Sequence, residues 1–190
     1  EFDDYTKDSK GGAIRFGHPL WEKCRMFEAY SYTDTELTDV ADDASFIIRE
    51  SQTVPVTSAV KVSFVRDSRD RLYGATEGSR NSLSVKYAGG PLGGDSQFTK
   101  GEVKSSWYFP VVYGTVFHIL GAAGQAWENE TGKLPVYERF YLGGINTIRG
   151  HEFGKVSPID PLTGDRVGGD QMWYVNSEIV VPLLKDQGFY

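Results

Sequence analysis

Apolar and polar residues alternate along this chain with a period of two, and seven stretches carry the pattern strongly enough to predict strands. The first runs from about Gly12 to Leu20 and the second from about Cys24 to Asp34, joined by a tight Pro-containing corner near Trp21. From Ser58 to Arg66, Val60, Val62 and Phe64 alternate with Ala59, Lys61 and Ser63. From Asn81 to Gly89, Leu83, Val85 and Tyr87 face away from Ser82, Ser84 and Lys86. A fifth stretch, Phe98 to Phe109, sets Val103, Ser105, Trp107 and Phe109 opposite Glu102, Lys104, Ser106 and Tyr108. The sixth, Thr115 to Glu128, is rich in Gly and Ala and less polarised, and the seventh, Gln171 to Leu184, places Trp173, Val175, Ile179 and Val181 against Tyr174, Asn176 and Glu178. An all-β, antiparallel chain follows, since no long segment repeats its apolar residues at helical spacing.

The spacing between strands says more than any one of them. Short corners near Trp21, at Pro110 to Gly114 and at Lys185 to Gly188 alternate with long connections at Thr35 to Thr57, Gly89 to Gln97 and Asn129 to Gly169. A sandwich has no reason for that rhythm, whereas an outer-membrane barrel has short periplasmic turns and long outer loops. Asp67 to Arg80 breaks the rule, with about 14 residues on the short side. Aromatics collect near strand ends (Trp21, Tyr30, Tyr32, Trp107, Tyr108, Phe109, Tyr113, Trp127 and Trp173), a height that suits lipid headgroups. The same rings would also pack together in a soluble core. A soluble all-β carbohydrate-binding module, using Trp107, Trp127 and Trp173 as stacking platforms, is therefore an alternative of a different class.

Composition narrows the picture. No run of about 18 apolar residues exists to form a membrane helix, but a membrane strand needs only about 9 to 11 alternating residues. A net charge of −6, with Lys and Arg scattered, offers no basic surface for nucleic acid. Cys24 is the single cysteine and forms no internal disulfide. His18, His118 and His151 lack partners at metal-ligand spacing, and Asp160, Asp165 and Asp170 read as a solvated acidic loop, so neither a metal nor another cofactor is expected. No nucleophile elbow, zinc-protease, phosphate-loop or EF-hand pattern is present, and no enzymatic activity is predicted.

The longest connection, about 129–169, is the informative one. A loop of about 40 residues without helical or strand pattern is uncommon unless it is functional or disordered. Phe140, Tyr141, Leu142, Ile145, Ile148 and Phe153 carry too much apolar surface to stay in water, so the loop should fold back onto something. Within it, LGG (142–144), IRG (148–150), an aromatic-glycine pair (153–154) and SPID (157–160) resemble the signature of the BamA family, also called the bacterial surface antigen family. DSRDRLYGATEGSRNSLSV (67–85) resembles that family's Asp-Arg-rich hairpin, YAGGPLGGDSQFTK the loop and strand after it, and NSEIVVPLL the strand after the tucked loop. This chain has His151 directly after the Arg-Gly pair, where the family usually has Phe or Tyr, and Phe153 two positions later.

The resemblance implies a partial antiparallel transmembrane β-barrel: about seven strands of a sixteen-stranded barrel in a bacterial outer membrane, with residues 1–190 part of one barrel domain. It implies a loop tucked into the lumen, carrying Gly143, Gly144, Ile148, Arg149, Gly150 and Phe153. It further implies a non-enzymatic factor that inserts other outer-membrane proteins, with unfolded client proteins, assembly-machine lipoproteins and the lipid bilayer as partners. A sibling that exports a partner protein through its pore, as in two-partner secretion, is the alternative within transport. Independently of the resemblance, an arginine held away from bulk water must find a carboxylate or a stacked ring, since an unpaired buried charge costs several kcal/mol. Glu178 and Glu102 are the candidate partners of Arg149 within this chain.

Overall fold

The computed structural model describes residues 5–181. Its seven strands are β1 (Thr6–Trp21), β2 (Cys24–Thr38), β3 (Val56–Asp67), β4 (Gly78–Ala88), β5 (Phe98–Pro110), β6 (Val116–Glu128) and β7 (Gln171–Val180). They form one antiparallel sheet in sequence order, an up-and-down meander that is not closed among the described residues. The predicted strands are all present, with shifted limits. β1 and β2 are longer than the alternation indicates, reaching back to Thr6 and on to Thr38 through mostly polar residues that face one another across the ladder. The residues of the seventh predicted strand from Pro182 to Leu184, and the Lys185 to Gly188 corner, lie outside the described residues.

The register confirms the predicted faces. Val62 stands opposite Val85, Phe64 opposite Leu83, and Leu83 opposite Val103. Because side chains alternate, that register puts Ile14, Phe16, Tyr30, Val60, Leu83, Val85, Val103, Ile119, Trp173 and Val175 on one face. Many of these are open to their surroundings: Phe16 is 66% exposed, Trp173 78% and Ile179 71%. Water would penalise so much exposed apolar area at about 25 cal/mol per Å², whereas hydrocarbon does not. His18 and Glu28 interrupt the apolar part of this face, with His18 Nδ1 standing 3.7 Å from Glu28 Oε2. Tyr108 leaves the predicted aromatic belt, because its place in β5 turns it to the polar face, where it stacks on His118.

The buried apolar residues sit on the other face, beneath the long connections. Ala59, Ala88, Phe98 and Ala126 from β3–β6 pack with Leu134 and Phe140 of the 129–169 loop. Tyr5 and Leu37 pack with Ile48 and Val136. Ile48 belongs to a short helix, α1 (Phe46–Ser51), inside the connection that the pattern left without structure. Gly124 makes room for this packing: a Cβ there would stand 2.7 Å from the Phe140 ring. The 129–169 loop is also more ordered than its sequence suggests. A 3-10 turn at Val136–Glu138 and the bridges Phe140↔Gly169, Leu142↔Val156 and Ile159↔Arg166 fold it into a ladder of small turns.

Candidate functional site: a loop laid on the polar face

The base of the loop is fixed by charge. Lys86 Nζ donates to Glu138 Oε1 at 2.6 Å, and Lys100 Nζ donates to the Glu138 carbonyl at 2.7 Å. Both lysines rise from the polar face of β4 and β5, so the strands reach up to the loop. At the outer end, the Ser45 backbone N–H donates to Asp165 and its hydroxyl to Asp160, both at 2.6 Å, which ties α1 to the same loop. The Ser45 hydroxyl is the leading cause that holds the Asp160 carboxyl below its usual range.

Beyond this base the chain turns back on itself at the glycine-rich motif. Gly143 has φ of +118°, and a Cβ there would collide with the Glu152 carbonyl oxygen, so no other residue fits. Gly144 and Gly150, both at φ +83°, share the left-handed backbone. Gly144 N–H donates to the His151 carbonyl at 2.7 Å, and the Thr147 hydroxyl donates to the Gly143 carbonyl at 2.7 Å, closing 143–151 into a compact flap. The Asn176 side chain on β7 donates to the Thr147 carbonyl at 2.7 Å. Two residues further along that strand, Glu178 Oε1 accepts from Arg149 Nη2 at 2.8 Å.

Depth follows from the register. Glu178 lies seven positions along β7 from Gln171, at the long-loop end, which is roughly 23 Å at strand rise. Its partner across the ladder, His118, is only two positions from the start of β6. Arg149 therefore meets the wall near the short-turn end, although the flap enters from the other.

The predicted residues divide accordingly. Gly143, Gly144, Ile148, Arg149 and Gly150 are in the flap, and Arg149 is joined to Glu178. Glu102 is not beside Arg149; it faces Lys100 Nζ at 3.7 Å, two positions away on its own strand. Phe153 is 70% exposed and Ile145 76%, so the apolar side of the flap points away from the described strands. His151 is likewise exposed. Sequence reasoning missed Asn176, Thr147, His118 and Tyr108. Their sequence signal was limited to parity: Asn176, His118 and Tyr108 share the polar face with Glu178.

The short-turn end has a structured hairpin of its own. Asp70 accepts from the Thr76 backbone N–H at 2.9 Å and its hydroxyl at 2.8 Å, and Arg71 Nε donates to it at 3.1 Å. Burial pushes the Asp70 carboxyl up, and these donors outweigh it and hold the group well below the usual carboxylate range. Arg69 forks onto Asp67 with Nε at 2.9 Å and Nη2 at 2.7 Å. Asp67 is the main reason the Arg69 guanidinium is held charged; the Tyr108 hydroxyl adds to it from β5.

An open antiparallel sheet with one apolar face exposed and a long loop laid on the other, polar face is the wall of a transmembrane β-barrel. Residues 1–190 match the Omp85 superfamily domain, and the chain belongs to that superfamily. It is 38% identical over 187 residues to the outer membrane protein assembly factor BamA of Nitratidesulfovibrio vulgaris, covering 98% of this chain and 24% of that protein. Identity to the BamA of Neorickettsia risticii is 26% over 180 residues, 94% of this chain and 24% of the relative. The human sorting and assembly machinery component 50 homolog is 24% identical over 174 residues, 92% of this chain and 36% of its own length. Among solved structures, BamA from Haemophilus ducreyi lacking POTRA domains 1–3 superposes with a TM-score of 0.81 at 20% identity, over 96% of this chain and 39% of that one. The chain thus spans about a quarter of the length of the bacterial relatives it matches.

Proposed function

We propose that this chain is a section of wall, with its lumen flap, in a BamA-like factor that inserts β-barrel proteins into a bacterial outer membrane. The 129–169 connection is the lumen-directed loop of that barrel, and strands outside this section complete the ring around it. No chemical step is required of these residues. Unfolded outer-membrane clients arrive from the short-turn side, assembly lipoproteins bind elsewhere on the whole protein, and the apolar face meets the bilayer. The flap braces the lumen while the wall deforms around a client: its base is held by Lys86 and Lys100, its tip by Glu178.

The observation that carries this reading is the Arg149–Glu178 contact at 2.8 Å near the far end of the wall. A loop that merely covered the outer mouth would have no reason to reach that depth. The 38% identity to an assembly factor over nearly the whole chain favours assembly over export of a partner.

The test is made in the full-length protein. Arg149→Ala should lower client insertion several-fold in a reconstituted assay while the strand signal in circular dichroism stays unchanged. Insertion at the parent rate would remove the role assigned to the flap.

A further inference from the structure

Glu178 has two oxygens, and only one is used by Arg149. The other, Oε2, stands 3.6 Å from His118 Nδ1. The opposite ring nitrogen of His118, Nε2, is hydrogen-bonded to the Ser106 hydroxyl at 3.0 Å, and Ser106 is buried. The imidazole also lies flat on Tyr108, with centroids 4.3 Å apart and planes 12° from parallel. A ring fixed by a bond at one edge and a stack on one face has little freedom, so whatever it touches is held as well. Tyr108 in turn stands across the ladder from Gly78, where the 68–77 hairpin rejoins β4, and Arg69 of that hairpin is forked onto Asp67.

We infer that His118 and Tyr108 are positioning residues: they fix the Glu178 carboxylate where Arg149 meets it, and they join the tip of the flap to the hairpin at the short-turn end of the wall. This rests on the flap reading above. A carboxylate on a strand samples several rotamers, and holding it ready reduces the entropy lost when the guanidinium arrives. Ser106, Tyr108, His118 and Glu178 come from three adjacent strands, β5, β6 and β7, so the clamp also records the local curvature of the wall. The hairpin belongs to β3 and β4, which makes the cluster the point where an outer loop and a short-turn hairpin meet on one polar surface.

The experiment uses the full-length protein in phospholipid vesicles, with native cysteines replaced and spin labels placed at Ile145 in the flap and Tyr73 in the hairpin, both exposed. The parent should give one narrow distance. Arg149→Ala should add a second, displaced population. His118→Ala and Tyr108→Leu should each raise that population roughly three- to ten-fold over the parent, the range expected when about 1 kcal/mol of hydrogen bond or stacking is lost. Combined with Arg149→Ala, neither should add more, because the same contact is already gone. His118→Gln keeps a side-chain amide within reach of Ser106 but loses the stack on Tyr108, and should fall between the parent and His118→Ala. A residue that served only wall stability would shift thermal unfolding without moving the flap population. If His118→Ala and Tyr108→Leu leave the distance unchanged while Arg149→Ala displaces the flap, the clamp is overturned and the flap reading survives. If Arg149→Ala also leaves the distance unchanged, both fail.

Discussion

The strand wall and the flap are built on opposite principles. The wall repeats one device: an apolar residue outward, a polar one inward, each row in register with the next. Its stability is distributed, and any one outward position resembles its neighbours. The flap repeats nothing. It is held by Arg149 to Glu178, Thr147 to Asn176, and a handful of left-handed glycines, each without a substitute nearby. Distributed contacts give a rigid frame, while a few specific ones give a part that can be seated or released as a unit.

That contrast can be broken at either end. The largest effect is expected from a charge on the outer face away from other charges. Val103 stands between Leu83 and Ala123, so Val103→Arg should cost about 2 to 4 kcal/mol near the bilayer midplane, read by unfolding in lipid vesicles. Val62→Arg sharpens the point, because Glu28 lies directly across from Val62 and would pair with the new guanidinium. Its penalty should be smaller than that of Val103→Arg by about 1 kcal/mol. Equal penalties at the two sites would mean that Glu28 is not available on that face.

In the flap, Gly143→Ala should destabilise the seated form by about 1 to 3 kcal/mol, since the side chain meets the Glu152 carbonyl in a backbone region that alanine avoids. Protease cleavage of the flap, with the strands still resistant, would show it. A silent Gly143→Ala would mean that the turn relaxes freely. Lys61→Arg, on the polar face, should be close to neutral in the same unfolding assay used for Val103→Arg.

Acid should act least, and only at the loops. The Asp160 and Asp70 carboxyls are depressed in the folded chain, so each contributes stability above its unfolded value near 3.8, and loses it as pH falls from there through the folded value. Fluorescence from the loops should therefore begin to change only below about pH 4, with the strands intact. A transition centred at pH 6 would point to other groups.

What could be read from residues alone was mostly the wall. Alternation in 58–66, 81–89 and 98–109 fixed strand identity, face and connection rhythm, because a period of two is a local property of the pleat. The loop's apolar residues and glycines required it to fold back onto something, and the glycine and arginine motif marked the flap through its resemblance to a family signature. Tertiary structure decided the rest. Glu178 over Glu102 as the partner of Arg149, Tyr108 turned inward onto His118, the α1 helix tied to Asp160 and Asp165, and the polar extensions of β1 and β2 all depend on which strands become neighbours and in what register. Most of those contacts join residues dozens of positions apart, and even Tyr108 and His118 sit on separate strands, so no single strand's pattern contains both halves of any one of them.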